Sequence, residues 1–404
     1  MVEFKADAWW QRSDLCYRDG QLFFADRDVQ QLANQFGTPS FVYSAKRVEA
    51  NLTRVRRALD AAGLAGRSSI FYAMKANRFA PLLQFIKQTG LCGIDACSPN
   101  EVKHAVSCGF SPSEISFTAT SMSKRDIAEL ARYHGLFMDC DSLHAIRSWG
   151  ELKPNSDIGI RINPAVGIGR ACNDKLQYTG CKTTKFGIFR EQFDEALALA
   201  TEYGLKVRKI HFHTGCGYLT TELDQLDHVI SECMKFVDAA PDVTRINMGG
   251  GLGVPHLADD PALDLERWSA ILNKHFGSRD LHVEVEPGDY ICKDAGLLLL
   301  GKTFVELKRD TLFVGVDAGF NIAPEPAYYG LPFQPVPLFI DDMPLSTMTV
   351  VGNINEALDV WYENAQLPDL SEHDYLVLIN AGAYSSSMAS NHCMRGEFNE
   401  FLLL

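Results

Sequence analysis

Six features of this 404-residue chain carry groups capable of chemistry, in the order Lys75, Asp95, Arg161, His213, the run Gly249-Gly250-Gly251, and Glu286. Each stands at the C-terminal end of a strand-like run. Lys75 closes the run in Phe71-Tyr72-Ala73-Met74-Lys75-Ala76-Asn77. A lysine so placed either forms a Schiff base with a carbonyl, if its surroundings hold it partly neutral, or snorkels to solvent. His211 and His213 in His211-Phe212-His213-Thr214-Gly215-Cys216 share one face of a strand, because side chains alternate. They read as hydrogen-bonded histidines, as an imidazole stacked on a flat ring, or as part of a metal site. The metal reading lacks further ligands, and no metal is expected.

The glycine run lets backbone N–H groups approach a phosphate, or simply makes a tight turn. It lacks the G-x-G-x-x-G spacing of a dinucleotide site. Glu286, before Pro287-Gly288, either keeps a pyridine nitrogen protonated or is a salt-bridged carboxylate.

Positioning these groups requires a repeating scaffold. Strand-like runs at 69–74, 92–96, 115–118, 135–139, 158–163, 209–213, 244–248 and 282–286 mostly precede helical segments, such as 81–89, 99–107, 124–133, 142–150, 190–203 and 222–239. About eight strand-then-helix units predict an α/β fold, a (β/α)8 TIM barrel over 38–288 with chemistry at the C-terminal ends of its strands. After Gly288 strand-like runs at 297–306, 311–316, 348–351 and 375–379 predict a mostly antiparallel β domain, of sandwich or barrel type, over 289–404. Residues 1–37 are expected to join it.

Composition sets limits. The chain is 46% hydrophobic and 22% charged, without an apolar run long enough to span a bilayer. A net charge of −13 argues against nucleic acid and anionic membranes as partners. The first residues show no signal-peptide pattern. Eleven cysteines without a CxxC pair fit a reducing cytoplasm.

Together, Tyr72-Ala73-Met74-Lys75-Ala76-Asn77, His211-Phe212-His213-Thr214-Gly215, Gly249-Gly250-Gly251, Glu286-Pro287-Gly288, Asp317-Ala318-Gly319 and Ala381-Gly382-Ala383-Tyr384 resemble, in order, the diaminopimelate/ornithine decarboxylase family. These are pyridoxal-5′-phosphate (PLP) enzymes of the alanine-racemase-like fold, and the resemblance runs from about 38 to 396. It implies PLP on Lys75, His213 stacked on the pyridine, and Glu286 on its nitrogen. Asp95 and Arg161 join the cofactor site. The phosphate would meet Gly249, Gly250, Gly251, Cys216 and Tyr384. It also implies a head-to-tail homodimer with shared sites, the stretch around 352–359 coming from the neighbour. The reaction implied is decarboxylation of an amino acid. A racemase or epimerase is the alternative, disfavoured by Glu286. A non-catalytic PLP-binding protein is another, disfavoured by the second domain.

Three positions depart from the family. Asp289 and Glu325 replace arginines that help hold anions, and Asn355, beside Glu356, replaces a cysteine that can donate a proton. An acid repels a carboxylate that an arginine would hold. The substrate is therefore expected to be a basic or diamino acid, or an amino-acid conjugate, in a biosynthetic or siderophore-type pathway. Asp289, Glu325, Tyr329, Asn355 and Glu356 are its candidate contacts. Cys393 or His392 are candidate replacements for the missing thiol. The alternative is that Asp289 and Glu325 are paired with Arg170, Arg395 or Lys293.

Overall fold

The computed structural model describes residues 8–170, 173–176, 183–213, 215–340, 344–370 and 374–404. Thr214 of the histidine motif lies outside them. Two compact units divide the chain. One comprises Asn51–Val254 and Pro261–Tyr290, and the other Met1–Ala50, Pro255–Asp260 and Ile291–Leu404.

The first unit is a closed barrel of eight parallel strands. In order they are Ser68–Ala73, Gly93–Ala96, Ile115–Ala119, Phe137–Cys140, Asp157–Asn163, Lys206–His211, Arg245–Asn247 and His282–Val285. The eighth returns to the first, with Val283 opposite Ser68. Strands covered on both faces need apolar residues throughout, and Ile94, Phe117, Met138, Ile160, Ile210, Ile246 and Val283 are fully buried. Helices follow with side-chain caps that satisfy their first N–H groups: Ser98 for Pro99–Ser107, Ser123 for Lys124–Leu130, Ser142 for Leu143–Leu152. Asp264 likewise caps Leu265–Phe276, a helix that the sequence reading did not contain.

The second unit carries an eight-stranded sheet. Its path runs Pro335–Pro337, Tyr375–Ile379, Gly296–Lys308, Thr311–Val316, Ser346–Val351 and Val360–Leu367. Most pairings are antiparallel, while Thr311–Val316 and Ser346–Val351 run parallel. The strand Ser40–Ser44 pairs here, with Gly296–Leu299 and with Asn399–Leu403, and not with the barrel strands. Leu15, Phe24 and Leu32 share a buried cluster with Leu297, Leu299, Val377 and Ile379.

Candidate active site

In the barrel unit the candidate residues converge at the C-terminal ends of the strands. Lys75 lies two residues past the first strand, and its Nζ stands 3.3 Å from Asp95 Oδ2 on the second. The Lys75 side chain is 43% exposed and Asp95 only 3%, so the amine is reachable while its counter-ion is not. Burial, and next the charge of Glu286, push the Asp95 carboxyl up to about 7; Lys75 and His211 oppose this only in part.

Glu286, one residue past the eighth strand, has the opposite balance. Its Oε2 lies 3.1 Å from His211 Nε2, and its Oε1 accepts from Asn247 Nδ2 at 2.6 Å and Ser116 Oγ at 3.0 Å. Burial pushes this carboxyl up, but His211, Lys75 and Lys209 more than offset it, and the net direction is well below the usual carboxylate range. His211 Nδ1 is buried with no hydrogen-bond partner.

The sixth strand ends at His211, which leaves His213 in the exit loop. Its Nδ1 accepts the Gly250 N–H at 3.3 Å, and Cys216 Sγ stands 3.7 Å from its Nε2. Burial, then Lys75 and Arg161, hold the His213 ring well below its ordinary pKa, so it is neutral. Arg161, buried inside the fifth strand, lies over the Phe186 ring at 4.7 Å.

The glycine run is tightly packed. Gly249 and Gly251 have φ of 66° and 100°, and a Cβ on Gly250 would come 2.4 Å from the Glu286 carbonyl oxygen. Asn247 ties this turn to Glu286, because its Oδ1 accepts the Gly249 N–H at 2.8 Å while its amide donates to the carboxylate. His211 appeared in the sequence reading only as a partner histidine; Asn247 and Ser116 did not appear. The signal for His211 was its place at the end of a barrel strand, two residues before His213.

The remaining candidates belong to the second unit, apart from Asp289, which opens the helix Asp289–Cys292 and so falls on the barrel unit. Glu325 is buried and ion-paired with Lys293, whose Nζ also donates to the Ala383 carbonyl at 3.0 Å and lies 5.6 Å from the Tyr384 ring. The alternative pairing of Glu325 with Lys293 is thus the one found, and Glu325 corrects the picture of a bare acid, since its charge is neutralised. Tyr329 ends the helix Glu325–Tyr329. Asn355 and Glu356 lie on an exposed loop, where Glu356 pairs with His392 at 3.4 Å. Cys393 is exposed, with φ of 53°. The buried Asp359 carboxylate organises this loop, accepting from Phe320 N at 2.7 Å and Ile354 N at 2.6 Å. Among the described residues, no group of three or more His, Cys, Asp or Glu side chains could hold a metal.

A reachable lysine, an ionised carboxylate with strong donors, a neutral histidine and a glycine cradle at one end of a parallel barrel define an enzyme that uses a carbonyl cofactor. The groups fit PLP: an amine for its aldehyde, a carboxylate for its protonated ring nitrogen, and backbone packed too closely at Gly250 to admit a side chain.

Residues 45–293 match the family profile described as "Pyridoxal-dependent decarboxylase, pyridoxal binding domain". The diaminopimelate decarboxylase of Methanothermobacter thermautotrophicus is 32% identical over 402 residues, covering 95% of this chain and 91% of the relative. The crystal structure of diaminopimelate decarboxylase from M. jannaschii in complex with L-lysine superposes with a TM-score of 0.88 at 25% identity, covering 97% of this chain and 93% of that one. The arginine decarboxylase of Paramecium bursaria Chlorella virus, at 19% identity and a TM-score of 0.80, shares the fold. The chain belongs to the PLP-dependent decarboxylase family, and it is a PLP-dependent amino-acid decarboxylase.

Proposed function

We propose that this enzyme decarboxylates a diamino acid lacking a free distal carboxylate, with PLP carried on Lys75. The observation that carries the cofactor assignment is the pairing of a reachable Lys75 with buried Asp95. Asp95, whose carboxyl is pushed up to about 7, stands within reach of the Lys75 amine as a group able to exchange a proton near neutral pH. When bound, PLP draws electrons from the substrate's α-carbon through its protonated ring. Glu286, held ionised, keeps the ring nitrogen protonated. Neutral His213 offers an uncharged face for stacking. Arg161, Cys216, Gly249, Gly250, Gly251 and Tyr384 are assigned to holding the cofactor, the glycines by backbone N–H groups. Lys75 Nζ is the first candidate to return a proton to the α-carbon, with Cys393 and His392 as alternatives.

The substrate assignment starts from the relatives named diaminopimelate decarboxylase and departs from their name. Asp289 stands where such enzymes carry an arginine, and the Lys293–Glu325 pair leaves no net positive charge at the second arginine position. Neither position favours a distal carboxylate. Carbon dioxide release from ornithine, lysine, arginine and meso-diaminopimelate tests this. Turnover of a diamino acid without the distal carboxylate at the higher kcat/KM is the expected result, and preference for meso-diaminopimelate overturns it.

A homodimer with shared sites is assigned on the loop 355–358, whose four residues are all exposed and include Leu358 at 48%. Light scattering of the purified chain reads its mass directly. A cytoplasmic location is proposed from eleven cysteines that include no CxxC pair. No helix among the described residues is long and apolar enough to cross a membrane.

A further inference from the structure

Behind Glu286, inside the barrel, sits a second charged cluster to which the reaction assigns no part. Lys209 is fully buried on the sixth strand, two residues before His211. Its Nζ lies 2.9 Å from Asp139 Oδ2 and 3.1 Å from Glu284 Oε2, on the fourth and eighth strands. Gly159 makes the room: a Cβ there would meet Asp139 Oδ1 at 1.8 Å. Arg245 Nη1 approaches Glu284 Oε1 at 3.8 Å from outside.

The cluster connects directly to the reactive end of the barrel. Ser116 Oγ lies 3.4 Å from Lys209 Nζ and donates to Glu286 Oε1 at 3.0 Å. Asn247 Nδ2 lies 3.4 Å from Glu284 Oε2 and donates to the same Glu286 oxygen at 2.6 Å. Period-2 alternation explains the stacking: 209 and 211, and likewise 284 and 286, point to the same inner face one layer apart.

We propose that Lys209, Ser116 and Asn247 are positioning residues that hold Glu286 ionised and aimed at the cofactor's ring nitrogen. Lys209 supplies a buried positive charge and the other two supply donors. His211 Nε2 adds a fourth contact, at 3.1 Å. Burial alone would protonate Glu286, and a protonated carboxyl cannot hold the proton on the ring. Lys209 is itself kept charged: burial lowers its pKa, but Asp139 and Glu284 more than offset this and raise it. The titratable groups facing Glu286 are His211, Lys75, Lys209 and Asp95, with Glu284 beyond Asn247. The proposal rests on the assignment of Glu286 to the ring nitrogen.

The test is the nitrogen-15 chemical shift of ring-labelled PLP bound to the whole enzyme, which reads protonation of that nitrogen without turnover. Asn247→Asp keeps the acceptor for the Gly249 N–H but turns the donor to Glu286 into a second acid. Ser116→Ala removes one hydroxyl and is small enough to fold if Lys209→Met does not. The expected result is a shift toward the unprotonated position in Asn247→Asp, and a smaller one in Ser116→Ala, with about tenfold weaker PLP binding in the first. Glu286→Gln serves as the control. If it leaves the signal unmoved, the assignment of Glu286 to the ring fails. If it moves the signal while Asn247→Asp and Ser116→Ala do not, the assignment stands and the positioning network is overturned.

Discussion

Asp95 and Glu286 are both buried carboxylates at the C-terminal end of the same barrel, and they are held in opposite states. Asp95 has Lys75 as its cationic partner at 3.3 Å, and its carboxyl rises to about 7. Glu286 accepts from Ser116 and Asn247, faces His211 Nε2 at 3.1 Å, and is driven below the usual range. Burial alone raises both. Donors and cations decide the outcome, and that asymmetry separates an acid able to exchange a proton near neutral pH from one committed to being an anion. The two lysines repeat the contrast. Lys209 is boxed by two carboxylates and shut from solvent, whereas Lys75 has its amine partly open.

The comparison breaks first at Lys75. Lys75→Ala should cost at least about 10⁴-fold in kcat and abolish the visible absorbance of PLP attached to the protein. Retention of both would remove the assignment. Glu286→Gln should be next, at roughly 10²–10³-fold in kcat, because a neutral amide leaves the ring a weak electron sink. Steady-state rates in the PLP-saturated variant measure this. Glu286 also repels the Asp95 anion, so the same variant should lower the Asp95 pKa toward the ordinary range.

The pH dependence of stability sharpens the contrast, because the two shifts have opposite signs. Asp95 is raised when folded, so its contribution in the PLP-free protein is full below its unfolded pKa, roughly 3.9, and is lost as pH rises through about 7. Glu286 is lowered, so its contribution is present above roughly pH 4.3 and is lost as pH falls toward its depressed folded value. Urea unfolding across about pH 2–9 should therefore show the neutral-side decline flattened in Asp95→Asn and the acid-side decline, below about pH 4.3, flattened in Glu286→Gln. The same limb flattened in both variants would contradict the geometry.

Much of this site was legible as a row of residues at strand ends. Lys75, Asp95, Arg161 and Glu286 fall there because a parallel barrel places the residues ending each strand on one face. The glycine run was legible as either a turn or a cradle; positive φ at Gly249 and Gly251 accounts for the turn, and Gly250 is packed against the Glu286 carbonyl. Asn247 and Ser116 were not legible, since a neutral residue in a strand carries no sign of which carboxylate it will meet from another strand. Glu325 looked like a lost arginine, but it is half of an ion pair. Lys293 was one of three partners the sequence offered for Glu325, and at a separation of 32 residues local spacing could not single it out. The helix at Leu265–Phe276 escaped because its buried Trp268, Ile271, Leu272 and Phe276 follow an irregular polar stretch that reads as loop.

The smallest effect comes from the opposite extreme of burial. Glu356 and His392 pair at 3.4 Å with about half of each side chain exposed. Water already solvates both groups there, and holding two side chains in one geometry costs entropy, so such a pair contributes about 0–1 kcal/mol. Glu356→Gln should leave the urea midpoint of the isolated chain within that range. If the loop 355–358 instead meets a second copy, the same substitution should act on assembly or on KM while chain stability holds. A loss of several kcal/mol in the isolated chain would mean that this exposed carboxylate is held as firmly as the buried Glu286, and burial would not be what separates the two.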